Sequence, residues 1–443
     1  MSLVDRDRKH LWHPYTQEKT APLPLPITGA KGVWLETEDG RRLLDGVSSW
    51  WVNTHGHSHP YINKALSEQA GTLEHVIFAG FTHEPAIRLS EMLVEVLPEG
   101  LNRIFFSDNG STAVEVALKM AYQYWVNKGE ERTTFLALER GYHGDTIGAM
   151  SASDASTFTD PFKSLLFTVK KAAAPFALEC GHCSDRCDVT CSKSLEDLLR
   201  HERGNVAAVI VEPMLQGAGG MIVWKAAYLK RLRELCDEYG VLLIADEVLT
   251  GFGRTGTMFA CEHAEISPDI LCMSKALTAG YMPLGATAAT DNVFEAFYHE
   301  DRLKTFFHGH SYCANPLACA VAIANLELFE KENTLSKIAF INSKFKGFEN
   351  ELSRFESVRD VRIIGGVLAF EIEVRDGGYL ADIGQQFYQR FLEKKIVLRP
   401  LGNVLLFMPP YVIKEEEIDW VLDEIRSVLS AYEATRVNSA KSI

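Results

Sequence analysis

The chain lacks any apolar run long enough to cross a bilayer. It has no internal repeat, no heptad pattern and no low-complexity tract. That excludes solenoid, coiled-coil and linker architectures. An excess of positive charge is also missing. Asp and Glu number 59 against 45 Lys and Arg, giving a net charge of −14, which argues against a nucleic-acid surface. The start, Met1–His10, is charged and has no apolar centre, so it does not read as a secretory signal. The expectation is therefore a cytoplasmic protein with small-molecule partners, no membrane and reduced cysteines.

The 443 residues exceed what one core usually carries, and 47% apolar content is ordinary for a globular protein. The N-terminal part is irregular, with His10-Leu-Trp-His-Pro-Tyr15, then a proline-rich link and a hairpin over 32–45 turning at Asp39-Gly40. Ser48–His57, with adjacent Trp50 and Trp51, reads as loop. Two neighbouring tryptophans cannot face the same way, so one should line a cavity or an interface. From about residue 60, helical and short apolar segments alternate, which predicts a mostly parallel sheet with helices on both faces. Helices are expected over 60–73, 84–97 and 112–125, and strands at 103–106, 133–138, 207–211, 241–245 and 270–273. A second, α+β unit follows the helical pattern that starts near Asn315, and its final helix runs from Glu415 to about Tyr432. The expected divisions are an N-terminal segment (1–58), a large domain (59–325) and a small C-terminal domain (326–443).

Two strand ends carry chemistry. The run Val241–Ala245 ends on Asp246-Glu247 and breaks into glycines, and Ile270–Met273 ends on Ser274-Lys275. In open α/β sheets ligands collect at such ends. A partly desolvated lysine has a lowered pKa and can form a Schiff base with an aldehyde. A carboxylate nearby can keep a pyridine nitrogen protonated. Pyridoxal phosphate (PLP) requires both groups. Taken alone, the two residues fit a turn cap and a solvent-seeking lysine equally well.

Other stretches add partners. Gly110-Ser111-Thr112, between a strand and a helix, suits a phosphate, while Thr112 and Glu115 also fit an ordinary capping box. Tyr142, beside His143 and Asp145, could stack on a planar ring or pack in the core. Arg254 and Arg399 are candidate carboxylate clamps or plain surface arginines. Ser311, in His308-Gly-His-Ser311, could be a further phosphate ligand. Cys180, Cys183, Cys187 and Cys191 fall within twelve residues, tight spacing for a structural zinc, with reduced thiols as the alternative.

The runs Asp246–Gly256 and Pro268–Lys275 resemble the signature of class III aminotransferases. Asp108–Glu115, Gly141–Asp145 and Asn315–Ala318 support the match, which covers nearly the whole chain. The resemblance implies PLP-dependent transferase fold type I, a large mostly parallel sheet domain with a smaller α+β C-terminal domain, and a homodimer with shared active sites. It implies that Lys275 holds the cofactor and moves the proton. It places Asp246 on the pyridinium nitrogen, Tyr142 on the ring, and Gly110 and Ser111 on the phosphate. Ser311 stands where the family has a threonine reaching the partner's phosphate; His310 departs from the family pattern there. The N-terminal Trp12-His-Pro-Tyr15 and the Trp50-Trp51 pair are similar to members that aminate 8-amino-7-oxononanoate with S-adenosylmethionine in biotin synthesis. That likeness gives the substrate pocket to Tyr15, Trp50, Trp51 and Asp145, makes Tyr15 a catalytic candidate beside Lys275, and gives the substrate carboxylate to Arg399 assisted by Arg254. The alternative is a class III enzyme acting on ω-amino acids such as ornithine or 4-aminobutyrate.

Overall fold

The structure is a computed structural model that describes residues 2–175, 187–374 and 377–440. Near the N-terminus run Ile27–Lys31 (β1), Trp34–Thr37 (β2) and Arg42–Asp45 (β3). The first half of the large sheet comprises Arg103–Ser107 (β4), Thr134–Leu138 (β5), Val169–Ala172 (β6) and Val206–Val211 (β7). A two-stranded ribbon follows, Leu215–Gln216 (β8) with Ile222–Val223 (β9). Leu242–Asp246 (β10), Ile270–Met273 (β11) and Gly285–Ala289 (β12) complete the large sheet. Its order is β4-β12-β11-β10-β7-β5-β6. The pairs from β11 to β6 are all parallel, and β12 alone runs antiparallel to both neighbours.

Helices cover both faces of this sheet, so central strands can be apolar on both sides: every residue of β7 and β10 is buried. Strand β12 has no sequence signal of its own because Gly285-Ala-Thr-Ala-Ala289 carries no bulky side chain. Small residues are needed there. The helix Gly110–Lys128 lies close against it, and Thr287 Oγ1 donates to the Ala113 carbonyl at 2.8 Å.

The C-terminal unit has a three-stranded antiparallel sheet of Val358–Ile364 (β13), Val367–Ile372 (β14) and Val404–Phe407, with the helices Thr334–Leu352, Asp382–Glu393 and Glu415–Ala440. Ile396–Val397 (β15) precedes Val404–Phe407 (β16) and pairs in parallel with β3, so N-terminal and C-terminal chain share one four-stranded sheet.

Several expectations need correction. The chain begins with a helix, Leu3–His10, closed by a Ser2–Asp5 capping box, where irregular chain was expected. The supposed loop at Ser48 is a short helical turn, Ser48–Trp51. The helix Pro316–Lys331 is continuous through the division expected at 325/326. The last helix extends to Ala440, past the expected end near Tyr432. The capping box at Gly110–Lys128 is formed by Asn109 and Thr112. Glu115 instead accepts from Thr146 Oγ1 (2.6 Å), Gly148 N (2.7 Å) and Ala149 N (3.1 Å), tying this helix to the segment after β5. Among the described residues, no helix is long and apolar enough to cross a membrane.

Candidate active site

The carboxyl ends of β4, β5, β7, β10 and β11 open onto one cavity of about 710 Å³, within the size range of small-molecule sites. Asp246 is the last residue of β10 and lies in parallel register with Cys272, three positions before Lys275. This register brings the acid and the amine into one cavity, where both are lining residues. Glu247, the other acid of the pair, turns away. It accepts from Thr250 Oγ1 (2.5 Å), Ala260 N (3.0 Å) and Cys261 N (2.9 Å), and holds the chain beyond the glycines.

Burial lowers the Lys275 amine to about 8, against smaller opposing effects of Asp246 and Glu212. Its backbone is left-handed, with φ of 44°, and its Nζ lies 4.9 Å from the centre of the Trp51 ring. Asp246 Oδ2 sits 2.7 Å from His143 Nδ1, and Oδ1 accepts from Val248 N at 3.2 Å. His143 and Glu212 carry no role in the sequence reading. Their signals were the residue beside Tyr142 and the acid at the end of β7. Glu212 accepts from Tyr142 N (2.8 Å) and Gly217 N (2.9 Å), and burial pushes its carboxyl up to about 7.

The opposite wall suits an anion. Gly110 and Ser111 are the first helical residues after the Asn109 cap, so their N–H groups have no intrahelical acceptor and the helix dipole favours negative charge there. The packing leaves no room for larger residues. A Cβ on Gly144 would lie 2.3 Å from Ser111 Oγ, and one on Gly110 would lie 2.6 Å from Val248. Ser111 Oγ is 2.8 Å from Thr146 Oγ1 and accepts from Thr146 N at 3.0 Å.

At the mouth, the hydroxyl of Tyr15 donates to the Asp145 carboxylate and lies 3.5 Å from the Tyr142 hydroxyl. Burial, then the Asp145 contact, pushes the Tyr15 phenol up to about 12, and burial raises that of Tyr142 further. The ring of Tyr15 is 5.5 Å from that of Trp50, and the Arg399 guanidinium lies 4.3 Å from the Trp50 ring centre. The two tryptophans face different ways: Trp50 packs with Tyr15 and exposed Arg399, while Trp51 is buried and faces Lys275.

Gly110, Ser111, Tyr142, Asp145, Asp246, Lys275 and Trp51 thus line one cavity, with Tyr15, Trp50 and Arg399 clustered at its edge. Arg254 is placed elsewhere. It is 0% exposed beneath the site and donates through Nη2 to the carbonyls of Trp51 (3.2 Å) and Asn53 (3.1 Å), so it does not line the cavity as a clamp. Ser311 is exposed and is not a lining residue; the neighbouring His310 Nε2 lies 3.8 Å from Asp108. Cys180 and Cys183 lie outside the described residues, and Cys187 and Cys191 are half-buried. Among the described residues, no group of three or more His, Cys, Asp or Glu is placed to hold a metal ion.

Comparison with known proteins places these residues in context. Residues 15–429 match the family described as Aminotransferase class-III. The adenosylmethionine-8-amino-7-oxononanoate aminotransferase of Synechococcus elongatus is 47% identical over 420 residues, covering 95% of this chain and 98% of the relative. The protein of that name from Geobacter sulfurreducens is 44% identical over 439 residues, covering 95% and 96%. The crystal structure of the corresponding enzyme from Methanocaldococcus jannaschii superposes with a TM-score of 0.91 at 38% identity, covering 97% of this chain and 98% of that one. An omega transaminase of Pseudomonas jessenii superposes with a TM-score of 0.92 at 28% identity, covering 97% and 98%.

Proposed function

The chain belongs to the class III aminotransferases, PLP-dependent enzymes of fold type I, and we propose that it transfers the amino group of S-adenosylmethionine to 8-amino-7-oxononanoate. The product is 7,8-diaminononanoate, an intermediate of biotin synthesis. The observation that carries this reading is the convergence of Lys275 and Asp246 in one cavity, in a chain 37–47% identical to relatives named for this reaction.

The residues present fit PLP. Gly110 and Ser111 offer N–H groups for the phosphate, and the cradle at Gly144 admits no Cβ. Tyr142 offers an aromatic face, Asp246 an acceptor for a protonated ring nitrogen, and Lys275 an amine for the aldehyde carbon. When bound, the cofactor supplies an electron-withdrawing ring that stabilises negative charge on the amino-bearing carbon of the substrate.

The chain's own residues do the rest. With a pKa near 8, Lys275 is neutral in about half of the molecules at mildly alkaline pH, so its Nζ can take a proton and return it. Such positioned transfer contributes ~10²–10⁴-fold. Asp246, held by His143, presents its carboxyl group on the cavity floor. Arg399 binds the substrate carboxylate, its guanidinium braced on Trp50. Tyr15 and Asp145 close the mouth and limit water entry. Donor and acceptor use the cavity in turn, in ping-pong order.

The proposal extends to a cytoplasmic homodimer in which Ser311 serves the phosphate site of a second copy; its exposure in this chain is compatible with that role. A structural zinc on Cys180, Cys183, Cys187 and Cys191 is a separate proposal resting on spacing alone. Metal analysis of chelator-treated protein tests it.

The decisive experiment presents amino donors singly to the cofactor-loaded enzyme. S-adenosylmethionine should bleach the long-wavelength cofactor absorption, and 8-amino-7-oxononanoate should restore it. Bleaching by ornithine or 4-aminobutyrate without response to S-adenosylmethionine would transfer the assignment to the ω-amino-acid branch, to which the likeness to the Pseudomonas jessenii enzyme also points.

A further inference from the structure

We propose that Asp45 and Arg254 are positioning residues of this active site, holding the Ser48–Trp51 turn at its two ends and thereby setting both tryptophan walls at once. The inference rests on the cavity described above being the site of transamination.

The turn is a backbone that does not hold itself. Ser48, Ser49 and Trp51 all have positive φ (50°, 61° and 64°), a region L-residues with side chains rarely occupy. Such conformations persist only where the surroundings over-determine them. Two buried charges do so here. Asp45, 0% exposed, accepts from Val47 N (3.2 Å), Ser49 N (2.7 Å) and Ser49 Oγ (3.1 Å), which fixes the entry to the turn. His57 Nε2, at 2.9 Å, supplies a further contact to the same carboxylate. Arg254, also 0% exposed, fixes the exit through the carbonyls of Trp51 and Asn53. Its guanidinium carbon lies 4.8 Å from the Tyr411 ring centre. Ser48 Oγ adds a tie to the Met408 carbonyl at 2.7 Å.

A buried arginine whose Nε and Nη1 have no hydrogen-bond partner among the described residues is a costly choice for a purely structural tie, since a neutral donor could reach two carbonyls. Its value lies in charge. Burial works against the charged guanidinium, and Tyr411 and then Asp45 offset part of that, so the cation at one end of the turn feels the carboxyl group at the other. The consequence appears on the tryptophans between them. Trp50 packs with Tyr15 and under Arg399, on the substrate side, and Trp51 packs against Lys275, on the cofactor side. A change in turn geometry would displace both walls together.

The test is a double-mutant cycle with a readout independent of turnover. Asp45→Asn and Arg254→Gln, which removes the charge and keeps an N–H donor, are each made alone and combined with Trp50→Ala. In cofactor-free protein, quenching of tryptophan fluorescence by acrylamide is compared between each variant and its Trp50→Ala companion, which isolates Trp50. Its accessibility should rise in both variants. In loaded enzyme, each single variant should raise KM for 8-amino-7-oxononanoate about tenfold, the scale of one lost charge-assisted hydrogen bond. Neither should raise KM further once Trp50 is already alanine. Unchanged Trp50 accessibility, or KM effects that multiply in the double variants, would overturn the proposal. Should Asp45→Asn fail to fold, Arg254→Gln carries the same cycle. If the wild type instead rejects these substrates, the donor experiment has failed, while the quenching comparison still judges the turn.

Discussion

The imidazole Nδ1 of His143 lies 2.7 Å from Oδ2 of Asp246, and the two side chains are 1% and 4% exposed. A carboxylate this buried needs a partner to remain a useful anion. His143, donating through Nδ1–H to Oδ2, supplies it, while Oδ1 accepts from Val248 N. Replacing His143 with phenylalanine removes a buried charge-assisted bond of about 1.5–3 kcal/mol. Turnover should fall about 10–100-fold with KM for either substrate changed much less, which steady-state kinetics would show. Asp246→Ala should be more severe still.

Lys275 sets the pH response. Burial lowers its pKa from 10.5 to about 8, so the neutral amine gains population as pH rises through about 8. Uptake of PLP by the cofactor-free protein should accelerate across that range and then level off. The linkage to stability has the same sign. Between about 8 and 10.5 the unfolded chain binds more protons at this lysine than the folded one, so the cofactor-free protein should gain stability with pH in that window. Lys275→Ala should lose both effects and fail to turn over repeatedly.

The phosphate cradle is tested at a glycine. Gly144 has φ of 127°, and a Cβ there would meet Ser111 Oγ at 2.3 Å. Gly144→Ala should therefore weaken retention of PLP on dialysis, with a smaller effect on KM for the amino acceptor. Retention equal to wild type would show that the cradle tolerates the displacement.

Arg399 separates charge from shape. Arg399→Lys keeps the charge but loses the planar fork and the stack on Trp50. KM for 8-amino-7-oxononanoate should rise about 2–10-fold, the scale of one hydrogen bond lost from a bidentate pair (about 0.5–1.5 kcal/mol), with little change in turnover.

The Tyr15 hydroxyl bonds Asp145 at the cavity mouth. Tyr15→Phe should raise KM about 2–10-fold, the scale of one hydrogen bond of about 0.5–1.5 kcal/mol. Proton transfer at Lys275 should be untouched, so single-turnover rates at saturation should match wild type.

The strands that carry Asp246 and Lys275 were legible because apolar runs buried on both faces, broken by glycine, have few other readings. The family signature then gave the pair its chemistry. Strand β12 was not legible, since Gly285–Ala289 has the small residues of a close contact and none of the bulk that marks a strand. Glu115 illustrates a different difficulty. Its spacing from Thr112 fits a cap, yet the carboxylate is drawn to three donors more than thirty residues away. Arg254 sits in a glycine-rich run that suggests exposure, but the run folds inward over the turn at Trp51.

By itself, the sequence determined the alternation of helix and strand, the strand ends on which Asp246 and Lys275 stand, and the residue types that a phosphate, a pyridine ring and a carboxylate require. These follow from local periodicity and from residue type, both of which are written in the chain. Only the tertiary structure decided that Asp246 leans on His143, that Glu247 turns to the core, that Arg254 supports Trp51 instead of lining the cavity, and that Trp50 and Trp51 divide the substrate and cofactor sides between them. Each of those depends on which way a side chain leaves a strand end or a strained turn. That direction is set by strand register and by packing between segments distant in sequence.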